Sequence, residues 1–141
     1  MRIALCLSGQ MRTYKSCYSS LMKNLILITG GAGFLGSHLT DKLINNGEEV
    51  ICLDNFFTGT KKNIKELFKY QNFEFIRHDI TEPIKLDVDN IWHLACPASP
   101  LHYLKNPIHT SKIIFHGTYN LLKLAQEQNA RLLFASSSIQ R

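Results

Sequence analysis

The sequence predicts an α/β fold: a parallel sheet layered between helices on both faces, running as far as a fifth strand. Three observations carry that expectation. From Met22 onward, short apolar runs alternate regularly with amphipathic stretches, the pattern of repeated βα units. A glycine-rich turn joins the first apolar run to the first amphipathic one. No repeat or low-complexity tract interrupts the alternation. Such units imply right-handed crossovers, and the strand order expected here is 3-2-1-4-5.

Taken in order, Leu25–Thr29 reads as the first strand, followed by glycines and a helix that runs to about Asn46 and stops at Gly47. Glu49–Leu53 is the second strand. Lys61–Tyr70 reads as a short helix with Ile64, Leu67 and Phe68 on its apolar face. Phe73–Ile76 is the third strand. Asn90–Ala95 is the fourth, nearly continuous in apolar character, as a buried parallel strand would be. Pro97 and Pro100 mark a loop. A long helix is expected from about His109 to Gln128, with Leu121, Leu122 and Leu124 as core candidates, and Arg131–Ala135 is the fifth strand.

Length and composition bound the function. At 141 residues the chain is long enough for one domain and too short for two ordinary ones; 45% hydrophobic and 19% charged residues are those of a globular protein. No apolar run approaches the ~20 residues of a membrane span, and Ser8-Gly-Gln-Met-Arg12 ends the run Ile3–Leu7 too early for a signal peptide. Cys6, Cys17, Cys52 and Cys96 have no metal-binding spacing and read as reduced thiols of a cytoplasmic protein; no metal site is expected. The net charge is +5, and Arg2, Arg12, Lys15 and Lys23 carry four of those charges with no acid among them. In the rest, twelve bases face eleven acids. Lys61, Lys62, Lys65 and Lys69 form one helical face, read as solvated, so nucleic acid is not an expected partner.

The segment that carries chemistry is Thr29-Gly-Gly-Ala-Gly-Phe-Leu-Gly36. Gly30 is placed to take the positive φ of a tight strand-to-helix turn. Gly33 lets backbone approach a ligand, and Gly36 lets the helix pack on its strand. The helix N-terminus then offers N–H groups and a positive dipole end to phosphate. At the end of the second strand stands Asp54, whose carboxylate suits a ribose 2′-hydroxyl and repels a 2′-phosphate. No arginine follows it directly; Asn55, Phe56 and Phe57 do. The pattern points to NAD rather than NADP, against the alternative of a glycine-rich turn that holds no ligand.

These residues resemble the extended short-chain dehydrogenase/reductases that act on nucleotide sugars, over about Met22 to Ser138. The resemblance implies a Rossmann-like fold. The glycine turn is similar to that family's T-G-x-x-G-x-x-G loop, with Gly30, Gly33, Phe34, Leu35 and Gly36 on the cofactor. Asp54-Asn-Phe-Phe-Thr-Gly59 resembles the ribose-binding segment, which implies roles for Asp54, Asn55, Phe56, Phe57, Thr58 and Gly59. Asp79 and Ile80 match the adenine-contacting pair, and Leu94 and Ala95 the strand beside the nicotinamide half. His93-Leu-Ala-Cys-Pro-Ala-Ser-Pro-Leu-His-Tyr103 is a longer and more specific string, similar to the members that decarboxylate UDP-glucuronate to UDP-xylose. There the implied chemistry is oxidation at C4″ by NAD, loss of CO2 from the β-keto acid, and return of the hydride, with no metal needed. The resemblance further implies Ser99, Tyr103 and Asn120 as substrate contacts, Lys112 near the cofactor, Ser138 as the active-site hydroxyl, and homodimers.

The departures are as telling. After Ser138 the family continues with Glu-Val-Tyr-Gly; this chain reads Ile139-Gln-Arg141. The Tyr-x-x-x-Lys pair that supplies the catalytic base follows that point in the family. Tyr119-Asn-Leu-Leu-Lys123 has the spacing but precedes the serine strand, and reads as a surface pair. Ile114 stands where relatives often carry Asn or Ser. His93, at the end of a buried strand, reads as a satisfied core residue. Two further expectations follow: residues 1–21 are an extension of separate origin, from an upstream start or a gene fusion, and residues 22–141 are an NAD-binding domain lacking its substrate domain. The chain alone is expected to be inactive. A catalytically dead NAD-binding module and an interaction protein using the basic residues 1–23 are the rival readings.

Overall fold

The computed structural model describes residues 24–97 and 99–135; the extension 1–21 and the serine strand bearing Ser138 lie outside the described residues. Five strands form one parallel sheet in the order β3-β2-β1-β4-β5, as expected. They are β1 (Leu25–Thr29), β2 (Glu49–Asp54), β3 (Phe73–Arg77), β4 (Asn90–His93) and β5 (Arg131–Phe134).

Alternation along β1 builds the three layers. Leu25 and Leu27 join Ile51, Leu53, Ile91, Leu121 and Leu124 on one face; Ile26 and Ile28 join Val50, Cys52, Ile64 and Leu67 on the other. Because both faces are covered, all five β1 residues are buried. Each aliphatic side chain so removed from water contributes about 1.5–3 kcal/mol. One layer holds α1 (Phe34–Asn45), whose end is closed by Asn46 and then Gly47 at φ +85. The same layer holds the short α2 (Lys61–Ile64), which tightens into a 3-10 turn over Lys65–Lys69. The opposite layer holds α4 (Pro107–Lys112), a π-helical turn (Ile113–Gly117) and α5 (Thr118–Gln128).

Several expectations are corrected. β4 stops at His93 and alternates: Ile91 and His93 are buried, while Asn90 and Trp92 are half-buried. The loop expected at Pro100 contains a one-turn helix, α3 (Pro100–Tyr103), because proline at the first helical position has no N–H to leave unpaired. The long helix starts two residues early, at Pro107, where the Asn106 side chain accepts from His109 N at 3.0 Å. Leu122 is 52% exposed, since one residue past buried Leu121 is a rotation of ~100° away from the core. Phe68 is 51% exposed, because the 3-10 turn breaks the α spacing that would have placed it inward.

Candidate cofactor site

The carboxyl ends of β1, β2 and β4 lie side by side, with Thr29 in register with Leu53 and with His93. Gly30 leaves β1 at φ +73. A Cβ there would stand 2.9 Å from the backbone of Leu94 and Ala95, so the end of β4 passes against the turn. At Gly36 a Cβ would run into the Gly30 carbonyl and stand 2.7 Å from Gly31 Cα. Helix α1 therefore packs backbone to backbone on the turn. Gly33 is its N-cap; it offers no side-chain cap, and no acid occupies the first turn. A Cβ at Gly33 would meet the Gly30 carbonyl oxygen at 3.1 Å and otherwise open space. The first N–H groups of a three-turn helix thus face outward beside the exposed Phe34 and Leu35, an arrangement suited to an anion.

The segment after β2 grips this turn. Asp54, buried at the end of β2, accepts from Ala32 N at 3.0 Å through Oδ2 and from Phe56 N at 2.7 Å through Oδ1. The Ala32 carbonyl in turn accepts from Thr60 N at 3.1 Å and from Asn63 Nδ2 at 2.8 Å. Gly59 sits in the gap, where a Cβ would stand 2.9 Å from Asp54 Oδ2 and from the Ala32 carbonyl carbon. Thr58 is exposed. Phe56 takes φ +63, uncommon for a residue with a Cβ. It is held there by the Asp54 bond and by stacking on Phe75, 5.0 Å between centroids. Parallel register sets Arg77 opposite Asp54, and its guanidinium lies 5.8 Å from the Phe56 ring. An arginine therefore reaches this edge from the neighbouring strand, which a search just after Asp54 in sequence misses.

The third loop is tied to the second. Asn55 donates through Nδ2 to Asp79 Oδ2 at 2.9 Å and accepts from Phe57 N at 2.9 Å. Asp79 Oδ1 accepts from both the N–H and the hydroxyl of Thr81. Burial by itself would push the Asp79 carboxyl up. The Thr81 and Asn55 hydrogen bonds, with the charge of His109, outweigh it and hold the group below its ordinary value. Ile80 is buried against Gly117, where a Cβ would collide with the Ile80 side chain, and its carbonyl accepts from Asn120 Nδ2 at 2.9 Å. One N–H of Asn120, a residue expected on the substrate, is thus used within the fold, and its second N–H and its carbonyl oxygen remain for other partners.

Around the end of β4, His93 bonds Thr29 Oγ1 at 3.0 Å through Nδ1 and Thr118 Oγ1 at 3.2 Å through Nε2. Burial lowers its pKa to about 4. The expected satisfied core histidine is what the geometry shows. Leu94 and Ala95 are half-buried beside the glycine turn. Ser99 is exposed and caps α3 by position, with Tyr103 N donating to its carbonyl at 3.1 Å. Lys112 and Ile114 are exposed, as are Tyr119 and Lys123; Lys123 pairs with Glu127 at 3.9 Å.

The turn, Asp54 and the Asn55–Asp79 link fit a dinucleotide: an open helix N-terminus for phosphates, then a carboxylate, then a rigid loop along the same sheet edge. Sequence reasoning missed Asn63, Asn106 and Thr118, whose contacts are to backbone or to residues far along the chain, and Thr81, which bonds the Asp79 carboxylate two residues back. For Asn106 the Asn-Pro pair before a helix was a readable cap signal.

A profile of the NAD dependent epimerase/dehydratase family matches residues 26–140. UDP-glucuronic acid decarboxylase 1 of Arabidopsis thaliana is 59% identical over 113 residues, covering 80% of this chain and 26% of that protein. UDP-glucuronic acid decarboxylase 1 of Danio rerio is 58% identical over 113 residues, with 80% and 27% covered. The UDP-glucose 4-epimerase of Thermus thermophilus, solved in complex with NAD, aligns with a TM-score of 0.67 at 29% identity, over 80% of this chain and 37% of that one. The chain spans about a quarter of the length of the two decarboxylases.

Proposed function

This chain belongs to the NAD dependent epimerase/dehydratase family, and from that premise we propose that it is the NAD-binding part of an enzyme that converts UDP-glucuronate to UDP-xylose and CO2. One observation carries the cofactor half of the reading: the open N-terminus of α1 and the Asp54 carboxylate are locked together through Ala32. The sugar half is supported by the similarity to UDP-glucuronic acid decarboxylases.

In this reading Gly30, Gly33, Phe34, Leu35 and Gly36 surround the pyrophosphate, and the segment Asp54–Gly59 takes the adenosine ribose. Asp79 and Ile80 border the adenine. Leu94, Ala95 and Lys112 border the nicotinamide half; Ser99, Tyr103 and Asn120 are the substrate-side residues, and Ser138 the active-site hydroxyl. Bound NAD supplies a reversible hydride acceptor, which lets a hexuronate lose its carboxylate from a C4″ ketone. The work of this chain's residues is to orient that acceptor. The buried Ile28 and Leu53, at the strand ends that lie against the turn, keep water from its rear. The proton of the C4″ hydroxyl needs a base, and Tyr119 is a poor candidate, since it lies exposed on α5 and precedes the serine segment that the family's tyrosine follows. We therefore propose that the 141-residue chain binds NAD without turning over UDP-glucuronate. The exposed Ile108, Phe115, Tyr119 and Leu122, along α4, the π-helical turn and α5, support the homodimer that the resemblance implies. The free thiols Cys52 and Cys96 support a cytoplasmic location. Among the described residues no helix is long and apolar enough to cross a membrane.

Thermal unfolding with NAD+, and with NADP+ alongside, tests this. Ligand at about 100 times its Kd adds about 2.7 kcal/mol, an easily measured rise in midpoint. A rise with NAD+ well above that with NADP+ is expected. No rise with either refutes the cofactor reading, and UDP-xylose formed from UDP-glucuronate by this chain refutes the inactivity.

A further inference from the structure

Ala32 is the residue on which the candidate phosphate site turns. Its N–H, in the Gly31–Ala32 peptide, is fixed by Asp54, and its carbonyl, in the Ala32–Gly33 peptide, has two donors: the backbone N–H of Thr60 and the side chain of Asn63. Peptide planarity transmits that grip. With the Ala32 carbonyl oxygen held from one side, the plane of the Ala32–Gly33 bond is set. So is the direction of the Gly33 N–H, which donates to the Gly30 carbonyl at 3.1 Å. Gly33 is the N-cap from which α1 begins, in extended conformation at ψ 177. The chain therefore enters the first turn of α1 from a peptide plane held at both its carbonyl and its N–H.

Asn63 is well placed to act at a distance. It stands on α2 next to Ile64, which is fully buried beneath α1, so its backbone is anchored while its outer edge stays in water. Its amide reaches 31 residues back along the chain, to a carbonyl that is itself in the buried turn. We infer that Asn63 is a positioning residue for the cofactor: without touching it, Asn63 fixes the pyrophosphate-binding turn through the Ala32 carbonyl. The inference rests on the NAD-binding reading above.

Two variants of the full chain test it. Asn63→Asp keeps the shape but sets a carboxylate oxygen against the Ala32 carbonyl. Asn63→Ala removes the donor without adding an acceptor. The ratio of two affinities separates positioning from mere stability: NAD by calorimetry, and adenosine, which lacks the pyrophosphate, by ligand-detected NMR. The expected result is an NAD Kd raised about tenfold in both variants, the loss of one well-made hydrogen bond, with the adenosine Kd moving less than twofold. A lowered melting midpoint with an unchanged NAD-to-adenosine ratio makes Asn63 structural only and overturns the inference while leaving the cofactor reading intact. Loss of cooperative unfolding in both variants overturns it likewise. Failure of the unmutated chain to bind NAD removes the reading and the inference together.

Discussion

The two ends of the candidate site are tied down in different ways. Around the glycine turn and the carboxyl ends of β2 and β3, loops distant in sequence hold one another: Ala32 with Asp54 and Asn63, Asn55 with Asp79, Ile80 with Asn120. After β4, the described hydrogen bonds of residues 99–110 close over three or four residues, Tyr103 to Ser99, Leu104 to Pro100, Thr110 to Asn106. A site cross-linked through long-range contacts is rigid as soon as the sheet forms. One made of local turns takes its shape from whatever packs on it. The comparison teaches that, among the described residues, the loops proposed for adenosine hold one another, while the segment proposed for the sugar is held by local turns.

The largest test of that contrast is Gly36→Val. Its branched side chain would be driven into the Gly30 carbonyl and Gly31 Cα, so unfolding free energy should fall by about 3 kcal/mol with loss of the NAD-induced shift, read by denaturant and thermal melts. Full NAD binding by this variant would show that the turn is softer than its contacts imply.

A second test uses pH. His93 is neutral in the fold down to about pH 4, whereas an unfolded chain takes up that proton near 6.5. Its contribution is complete above pH 6.5 and is lost as pH falls toward 4, by up to about 3 kcal/mol. Urea midpoints between pH 7.5 and 5, compared with His93→Gln, should show a decline that the variant lacks. A flat profile would break the assignment of His93 as a buried neutral strut between the two sides.

Asp54→Asn is the finer probe. It leaves one of the Ala32 and Phe56 N–H groups without an oxygen, costing about 1–3 kcal/mol, and should weaken NAD binding at the same time. The smallest effect belongs to the other side. Ser99→Ala removes an exposed hydroxyl that makes no capping bond, so stability and NAD affinity should stay within about 0.5 kcal/mol. A larger change would mean that the sugar side is already built.

Much of this was legible from spacing. The strand order, the positive φ of Gly30, the tight packing at Gly36 and the buried His93 all follow from patterns within a few residues. What escaped was non-local or set by helix pitch. Asn63 looks like any polar residue on a lysine-rich helix until α2 is laid beside residue 32. Asn120 also donates one N–H to a carbonyl 40 residues away, a tie that its own sequence window does not contain. Leu122 reads as core in a leucine cluster because adjacency in sequence hides the rotation between neighbours on a helix. Arg77 reaches Phe56 through strand pairing, which no window around Asp54 contains.

One buried atom gives the glycine turn a clock. Cys52 lies under Gly31 so closely that a Cβ on that glycine would overlap its sulfur, and burial, with the nearby Asp54 charge, raises the thiol pKa to about 12. Such a thiol is protonated and shielded, and an alkylating reagent can reach it only in the moments when the turn lifts off β2. The labelling rate at Cys52, followed peptide by peptide, thus measures how often the turn opens. Any ligand that closes over the turn will slow that rate in proportion to how tightly it is held.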